Sequence, residues 1–527
     1  MAARCRHDSR QDAGVTLASL WLSVKNNIVL ELSPKSFEEF LKAAQNGNVV
    51  PVVRSVLADL HTPVSAFVRV CGDAEQAFLF ESIEGGERLA RYSFIAANPY
   101  LTVRARGKQT TVRQTGEAER TENTPVLDFL RGHFNQNRLA RRANLPPLCG
   151  GAVGFLTYDA ARFFEPTLDE DREFEKDDAV WMFFRNLLAF DRLRQRIEIV
   201  SIVFTDEAAG SEEALRELYE IAVAETERIE KLLNQTATFP QNAAKSAEKK
   251  NQVRSNWAKT DFLKAVETIQ ERILAGDAYQ IVLSQKFRRQ ISAAPINIYR
   301  ALRTMNPSPY MFFIKTGKEI LIGASPEMLV RCRGKKLEYR PIAGTRKRGE
   351  TETEDWILGE DLRSDEKEVA EHVMLVDLGR NDLGRVAEYG SVEVDELMKI
   401  ERYSHVQHLV TSLKARLRAG FDRFDALASC FPAGTVSGAP KVSAMRIISQ
   451  LEPTPRGIYA GTVGYIDYAE NLDTCIAIRT IEIENGWTNV QAGAGIVADS
   501  VPEKEYEETI NKARALMKAI EMAENGL

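Results

Sequence analysis

The second half of the chain concentrates side chains suited to oxygen-ligand and proton-transfer chemistry. Residues 364–382 (SDEKEVAEHVMLVDLGRND) predict an acidic helix opened by a capping signature at Ser364, with Glu368, Glu371 and His372 at i, i+3 and i+4, hence on one side. Near the end of the chain Glu505, Glu508 and Lys512 recur along one helical face, beside an apolar stripe of Tyr506, Ile510, Ala513, Met517 and Ile520. Taken singly, such acidic triples are ordinarily solvated faces. Here they are accompanied by Gly323-Ala-Ser-Pro-Glu327, a strand ending in a carboxylate, and by Pro341-Ile-Ala-Gly-Thr345-Arg346, a strand-to-turn segment with a hydroxyl and free amides. Gly434-Thr435-Val-Ser-Gly438-Ala-Pro-Lys441 reads as a glycine-rich turn entering a helix, and Gln491-Ala-Gly493-Ala-Gly495-Ile as a strand end whose amides can face a ligand. Two glutamate-bearing helices (Glu371 and Glu508), amide-rich loops and Arg479, expected on a strand, suit an oxygen-only Mg²⁺ site beside a small carboxylated substrate.

Other chemistries find little support. The six histidines form no HExxH, and the six cysteines lie far apart with no CxxC pair, so a His/Cys metal centre is not expected. The P-loop pattern fails at Lys441, which follows Pro440 and precedes Val442, and neither G-x-S-x-G nor G-x-G-x-x-G occurs.

The elements that must position these residues are legible in part. Ser36 can cap a helix through Phe37, Phe40, Leu41 and Ala44, and 211–234 reads as one long amphipathic helix. β-like runs cover 66–70, 77–81, 102–106, 180–191 and 196–203. The polar, aperiodic stretch 235–256 reads as a linker between an N-terminal part, 30–234, and a C-terminal part, 257–527. Residues 1–29 are expected to be a loosely ordered extension. One echo links the halves: Gly151-Ala-Val-Gly-Phe-Leu-Thr-Tyr158 matches Gly461-Thr-Val-Gly-Tyr-Ile-Asp-Tyr468 in register. Chance similarity of glycine-rich strands competes with an internal duplication, which would place equivalent strands in one body. Strands clustered like hairpins favour an α+β assembly of largely antiparallel sheets over a parallel doubly wound fold.

Composition bounds the function. Lys+Arg 69 against Asp+Glu 75 leaves a formal charge of −6, without the basic footprint of a nucleic-acid or anionic-membrane binder. The hydrophobic share of 44% and charged share of 27% are those of a globular protein. No uncharged apolar run is long enough to cross a bilayer. Arg4, Arg6 and Arg10 before the apolar stretch 14–24 imitate a signal peptide, but Asp8 and Asp12 dilute the basic region and no small-residue cleavage site follows. A cytoplasmic location is expected.

Taken together, the blocks PIAGT, EHVMLVDLGRND, GTVSGAPK, LDTCIAIRT and QAGAGIVADS resemble the chorismate-utilising enzymes, most closely the large subunits of anthranilate synthases, over nearly everything from about Leu30 onward. The resemblance implies a layered α/β/β/α body with orthogonally packed sheets. It implies amination of chorismate at ring carbon 2, loss of the carbon-4 hydroxyl and elimination of pyruvate. Hydroxide leaves poorly, so a positioned acid is needed, worth about 10²–10⁴-fold. By resemblance that acid is Glu327, with Thr435 in the catalytic set and His408 of Ser404-His-Val-Gln-His408 moving a proton during elimination; His405 is the alternative with a packing or surface role. Mg²⁺ would be held by Glu371 and Glu508. Gly344, Thr345, Tyr459, Arg479, Gly493, Ala494 and Gly495 would bind substrate, Arg479 by its fork to the enolpyruvyl carboxylate, with Lys512 adding charge.

Two positions discriminate among branches of the family. Water-adding members resemble this chain but carry a lysine where Gln280 stands in Gly276-Asp-Ala-Tyr-Gln280, and the aminodeoxychorismate branch carries a nucleophilic lysine in PIKGT, where this chain has Ala343. Neither residue here can act so. In the first half, Phe78-Leu-Phe-Glu81-Ser82 and Arg91-Tyr-Ser-Phe94, with Asn306-Pro-Ser-Pro309-Tyr310-Met311, resemble the family's L-tryptophan feedback site, with Glu81, Ser82, Pro309, Tyr310 and Met311 as contacts. None of the cysteines lies in a G-x-C-x-G elbow, so ammonia is expected from a separate glutamine amidotransferase subunit, in a heterotetramer by resemblance. The alternatives are an aminodeoxychorismate synthase and a catalytically silent, tryptophan-responsive binding protein.

Overall fold

The computed structural model describes residues 31–83, 91–140, 145–168, 176–242, 252–403 and 406–527. The N-terminal extension, the middle of the expected linker (243–251) and Ser404 and His405 lie outside them. Two large antiparallel sheets, one of 13 strands and one of 12, form the body.

Each sheet has a centre from which the two sequence halves run outward in the same order. In the first, Gln76–Glu81 pairs antiparallel with Tyr310–Thr316, Phe80 opposite Phe312. Outward from the former lie Tyr92–Ala97, Asn186–Asp191, Arg196–Phe204 and Val49–Leu57; outward from the latter lie Ile320–Ser325, Thr480–Glu484, Trp487–Ile496 and Gln280–Gln290. In the second, Gly151–Leu156 pairs with Thr462–Asp467, followed by Ala179–Phe184 and Leu101–Arg106 on one side and Asn471–Ile476 and Met328–Arg333 on the other. The echoing segments are therefore neighbours, with Gly154 opposite Gly464. Neither position admits a side chain: a Cβ on Gly154 would sit 1.9 Å from the Val180 carbonyl oxygen, and one on Gly464 2.2 Å from that of Asp473. The mirrored order is that of a duplicated body, and strands of both halves share both sheets. The stretch that separates the halves along the chain does not separate their sheets. Its described start is anchored: Asn242 donates to the Ala523 carbonyl at 2.6 Å and accepts from the Ala294 amide at 3.1 Å.

Burial on both faces explains the apolar strands. Along Gln76–Glu81, Phe78 and Phe80 join the core shared with the second sheet, whereas Ala77 and Leu79 join a second core with the helices Pro63–Cys71, Glu212–Leu233, Pro295–Met305 and Pro502–Asn525. Helices Val126–Gln136, Glu366–Gly384 and Arg423–Cys430 pack Leu130, Val376 and Leu427 into the core of the other sheet. The layers run helix, sheet, sheet, helix.

Some local expectations need correction. Residues 66–70 are helical, within Pro63–Cys71. Thr62 and Ser65 form a reciprocal capping box and Pro63 opens the helix, so a stripe of Val64, Phe67 and Cys71 is buried and overrides β propensity. Residues 180–191 are two strands in different sheets, joined at Arg185, where the chain crosses between layers. Ser364 ends the helix Glu352–Ser364; the next helix is capped by Asp365, whose carboxylate accepts from the amides of Lys367 and Glu368 at 3.1 and 3.2 Å.

Candidate active site

Glu327 follows the strand Ile320–Ser325 and is 6% exposed. Its backbone is pinned: the carbonyl accepts from the Ile476 amide at 3.0 Å, and Ser325 Oγ donates to the Ile476 carbonyl at 2.7 Å. Burial pushes its carboxyl up to about 8, opposed by the neighbouring Thr435 hydroxyl. That hydroxyl, on the short helix Gly434–Ser437, is itself buried and lacks a partner at full hydrogen-bond geometry. A protonated carboxyl at neutral pH beside an available hydroxyl can deliver a proton to a leaving group. Lys441, further along the same segment, is engaged by Asp382 at 2.9 Å, which ties GTVSGAPK to the DLGRND helix and gives that lysine a structural task.

The strands Ile342–Lys347 and Val406–Arg416 pair irregularly: Ala343 faces Leu409 but Arg346 faces Gln407, so an extra residue bulges at Gly344 and Thr345. Gly344 has φ +63°, the left-handed region open to glycine. The bulge turns its carbonyl to His408, whose Nδ1 lies 2.7 Å away, with Thr345 Oγ1 at 3.1 Å. A carbonyl can only accept, so Nδ1 carries the hydrogen and Nε2 is the basic nitrogen. Burial lowers the His408 pKa, the Gly344 carbonyl opposes this, and the positive charge of Arg479 lowers it further.

Arg479 is not on a strand, as expected from sequence, but at the crossing between Asn471–Ile476 and Thr480–Glu484, with φ +51°. A crossing turns its side chain out of both ladders. The guanidinium is mostly buried, its pKa lowered by that burial, and it donates to the Lys512 carbonyl at 3.2 Å. No carboxylate lies within ion-pairing distance of it among the described residues. The equivalent crossing in the first half holds Arg185, which is consumed by an ion pair with Glu207. Tyr459, pushed up to about 12 chiefly by burial, feels both Arg479 and Glu508. Its hydroxyl lies over Gly493, where a Cβ would be 2.6 Å away, and the Gln280 carboxamide lies likewise 2.5 Å from a Cβ on Gly495. Ala494, between them on Trp487–Ile496, is buried opposite Leu283. Lys512 Nζ donates to the Gly493 carbonyl at 3.0 Å and pairs with Glu508 at 2.7 Å.

Glu371 lies on Glu366–Gly384 and Glu508 on Pro502–Asn525. Lys367 acts electrostatically on Glu505, so the two helices come near one another there, and Glu371 and Glu508 each lie one turn further along their own helix. Glu368, which sequence alone left in the background, approaches Gly344 (3.1 Å from a Cβ there); burial and then the charge of Glu371 raise its pKa. Glu505 is raised the same way, by burial and by Glu508. The carboxylate pairs Glu368 with Glu371 and Glu505 with Glu508 are oxygen donors of the kind a hard cation takes. Among the described residues no three His, Cys, Asp or Glu side chains converge enough to hold an ion alone. Two protein carboxylates would leave positions for waters and a ligand, as Mg²⁺ tolerates.

The residues expected to form a tryptophan site lie elsewhere. A cavity of about 970 Å³ is lined by Phe80, Glu81, Ser82, Tyr310 and Met311; Pro309, buried beside Tyr310, is not part of its wall. Glu81 is held by Tyr299 at 2.7 Å and Arg303 at 2.9 Å, contacts the sequence reading missed because they come from a helix, Pro295–Met305. Tyr310 Oη donates to Asp473 at 3.0 Å, while the buried Ser82 hydroxyl has no partner among the described residues.

Comparison with known proteins identifies the family. The profile of a family described as chorismate binding enzyme matches residues 75–518. Anthranilate synthase component 1 of Acetivibrio thermocellus is 46% identical over 494 residues, 93% of this chain and 98% of that protein. That of Aquifex aeolicus is 45% identical over 493 residues, again 93% and 98%. The crystal structure of anthranilate synthase component I from Streptococcus pneumoniae superposes with a TM-score of 0.71 at 35% identity, covering 88% of this chain and 98% of that one. The menaquinone-specific isochorismate synthase of Escherichia coli shares the fold, with a TM-score of 0.66 at 21% identity over 92% and 99% of the two chains. The chain belongs to the chorismate-binding enzymes, and within them to the family of anthranilate synthase component 1. No helix among the described residues is long and apolar enough to cross a membrane.

Proposed function

We propose that this chain is a synthase subunit that converts chorismate and ammonia to anthranilate and pyruvate, the first committed step of L-tryptophan biosynthesis. The observation that supports the reading is the buried carboxyl of Glu327, raised in pKa beside the Thr435 hydroxyl, together with Arg479, whose charge acts on both His408 and Tyr459. Arg479, without a carboxylate partner among the described residues, binds the enolpyruvyl carboxylate, and the amides of 493–495 with Thr345 orient the ring. Glu327 gives its proton to the departing carbon-4 hydroxyl as ammonia adds at carbon 2. Nε2 of His408 accepts a proton during loss of pyruvate. Glu371 and Glu508 hold Mg²⁺, which when bound draws charge from the ring carboxylate. Gln280 against Gly495 cannot serve as a base toward water, and buried Ala343 cannot attack carbon, which favours amination at carbon 2 over the sibling reactions.

Purified protein given chorismate, Mg²⁺ and ammonium should generate anthranilate fluorescence. Aminodeoxychorismate as the product would make the chain the sibling synthase, and no product would make it a silent binding protein. In the cell the ammonia comes from a glutamine amidotransferase subunit, in a cytoplasmic heterotetramer.

The cavity at Ser82 suits L-tryptophan: aromatic and thioether walls for an indole, and an unpartnered hydroxyl for the amino-acid end. Inhibition follows if tryptophan prefers a less active state. Ser82→Phe is expected to raise the tryptophan concentration for half-inhibition at least about 10-fold, the equivalent of one charge-assisted hydrogen bond. The uninhibited rate should hardly change. Unaltered inhibition removes Ser82 from the site.

A further inference from the structure

Between the acid loop and the substrate loops lies a buried ion pair that none of the roles above uses. Arg456 is 3% exposed and Glu452 6%, and they pair at 2.7 Å across the loop that follows the helix Lys441–Leu451. The Arg456 guanidinium also donates to the Val436 carbonyl at 2.7 Å and to the Val282 carbonyl at 2.6 Å. It lies 4.5 Å from the ring centre of Tyr158 and 5.6 Å from that of Tyr459. Glu452 in turn accepts from the Ser284 amide at 2.8 Å and its hydroxyl at 2.7 Å, and Gln491 donates to Ser284 Oγ at 2.7 Å. Every segment gripped adjoins a residue given a role above. Val436 follows Thr435, Val282 pairs with Gly495 and Ser284 with Gly493, and Tyr459 follows three residues later.

We propose that Arg456, braced by Glu452, is a positioning residue that fixes the Thr435 hydroxyl against the Glu327 carboxyl and holds Tyr459 over Gly493. A guanidinium serves where an ammonium would not, because its planar fork reaches two carbonyls and a carboxylate at once in fixed directions. Pairing with Glu452 and hydrogen bonds from four of its five N–H groups keep the buried charge tolerable. The inference rests on the synthase reading above.

The test compares wild type, Arg456→Lys, Thr435→Val and the double variant, with chorismate, Mg²⁺ and ammonium. Arg456→Lys should lower kcat by about 10²-fold, the cost of an ångström-scale misplacement, with KM for chorismate within about threefold. Because the Thr435 hydroxyl holds the acid's pKa down, the alkaline limb of the pH–rate profile should move to higher pH in both single variants. The double variant should be no slower than the slower single one. Effects that multiply in the double variant, or an unmoved limb in Arg456→Lys, overturn the proposal while leaving the synthase reading intact; a wild-type chain that makes no anthranilate overturns both. Should Arg456→Lys not fold, Glu452→Gln, which keeps the shape and loosens the brace, takes its place: a normal kcat and limb there count against the proposal.

Discussion

Glu327→Gln is expected to lower kcat for anthranilate formation by about 10³-fold or more while leaving chorismate binding within a few-fold. The carboxamide matches the carboxyl in shape but has no proton to give, so only the transition state loses. In the wild type the reactive form is the protonated acid, and with its pKa pushed up to about 8 by burial, activity should fall as pH rises through that value. The ammonia-dependent rate gains free NH₃ over the same range, so its profile should peak between the two effects; in Glu327→Gln the falling limb should vanish. The same group links to stability. Its folded pKa lies above the ordinary carboxylate value of 4.5, so the folded chain holds a proton that the unfolded chain has released. That contribution is complete below about 4.5 and is lost as pH rises toward about 8. Glu327→Gln should therefore melt higher than wild type at pH 9 and alike at pH 4. A variant that is inactive and also less stable at pH 9 would mean that Glu327 is a packing residue. Stability given up at a functional carboxyl is the usual cost of tuning it.

Glu371→Gln and Glu508→Gln are each expected to lower turnover by at least about 10²-fold through lost Mg²⁺ affinity, since charge stabilisation of several kcal/mol goes with the ion. The folded state should survive both. Glu371 is half-buried and Glu508 exposed, each adjoins a like charge, Glu368 or Glu505, and Glu508→Gln gives up only a solvent-exposed ion pair with Lys512. Calorimetric titration with Mg²⁺, or with Mn²⁺ followed by its paramagnetic signal, separates metal loss from a chemical defect: binding should weaken in both variants, in the presence of chorismate above all. Near-normal turnover, or unchanged metal affinity, in either variant refutes the assignment.

Where sequence reasoning failed, tertiary contacts supplied what local pattern lacked. Residues 66–70 are β-branched enough to imitate a strand, yet a capping box four residues earlier and a buried face decide for helix. Arg479 sits in a row of strand formers, and only the crossing from one sheet to the other shows why its side chain leaves the ladder. Arg456 and Glu452 were passed over because their importance lies in carbonyls they reach at Val282 and Val436, far along the chain.

The sequence by itself determined the residue types and the order of the motif blocks, because those chemistries tolerate few substitutes: a carboxyl at 327, a histidine at 408, glutamates one helical turn from like charges, and glycines at 154 and 464 where no side chain fits. Only the tertiary structure decided that the halves share both sheets, that the echoing strands lie side by side, and that 327 is buried enough to push its carboxyl pKa up. Side-chain identity is a local property. Desolvation and the meeting of distant helices are sums over the whole packed body, and no window of sequence contains them.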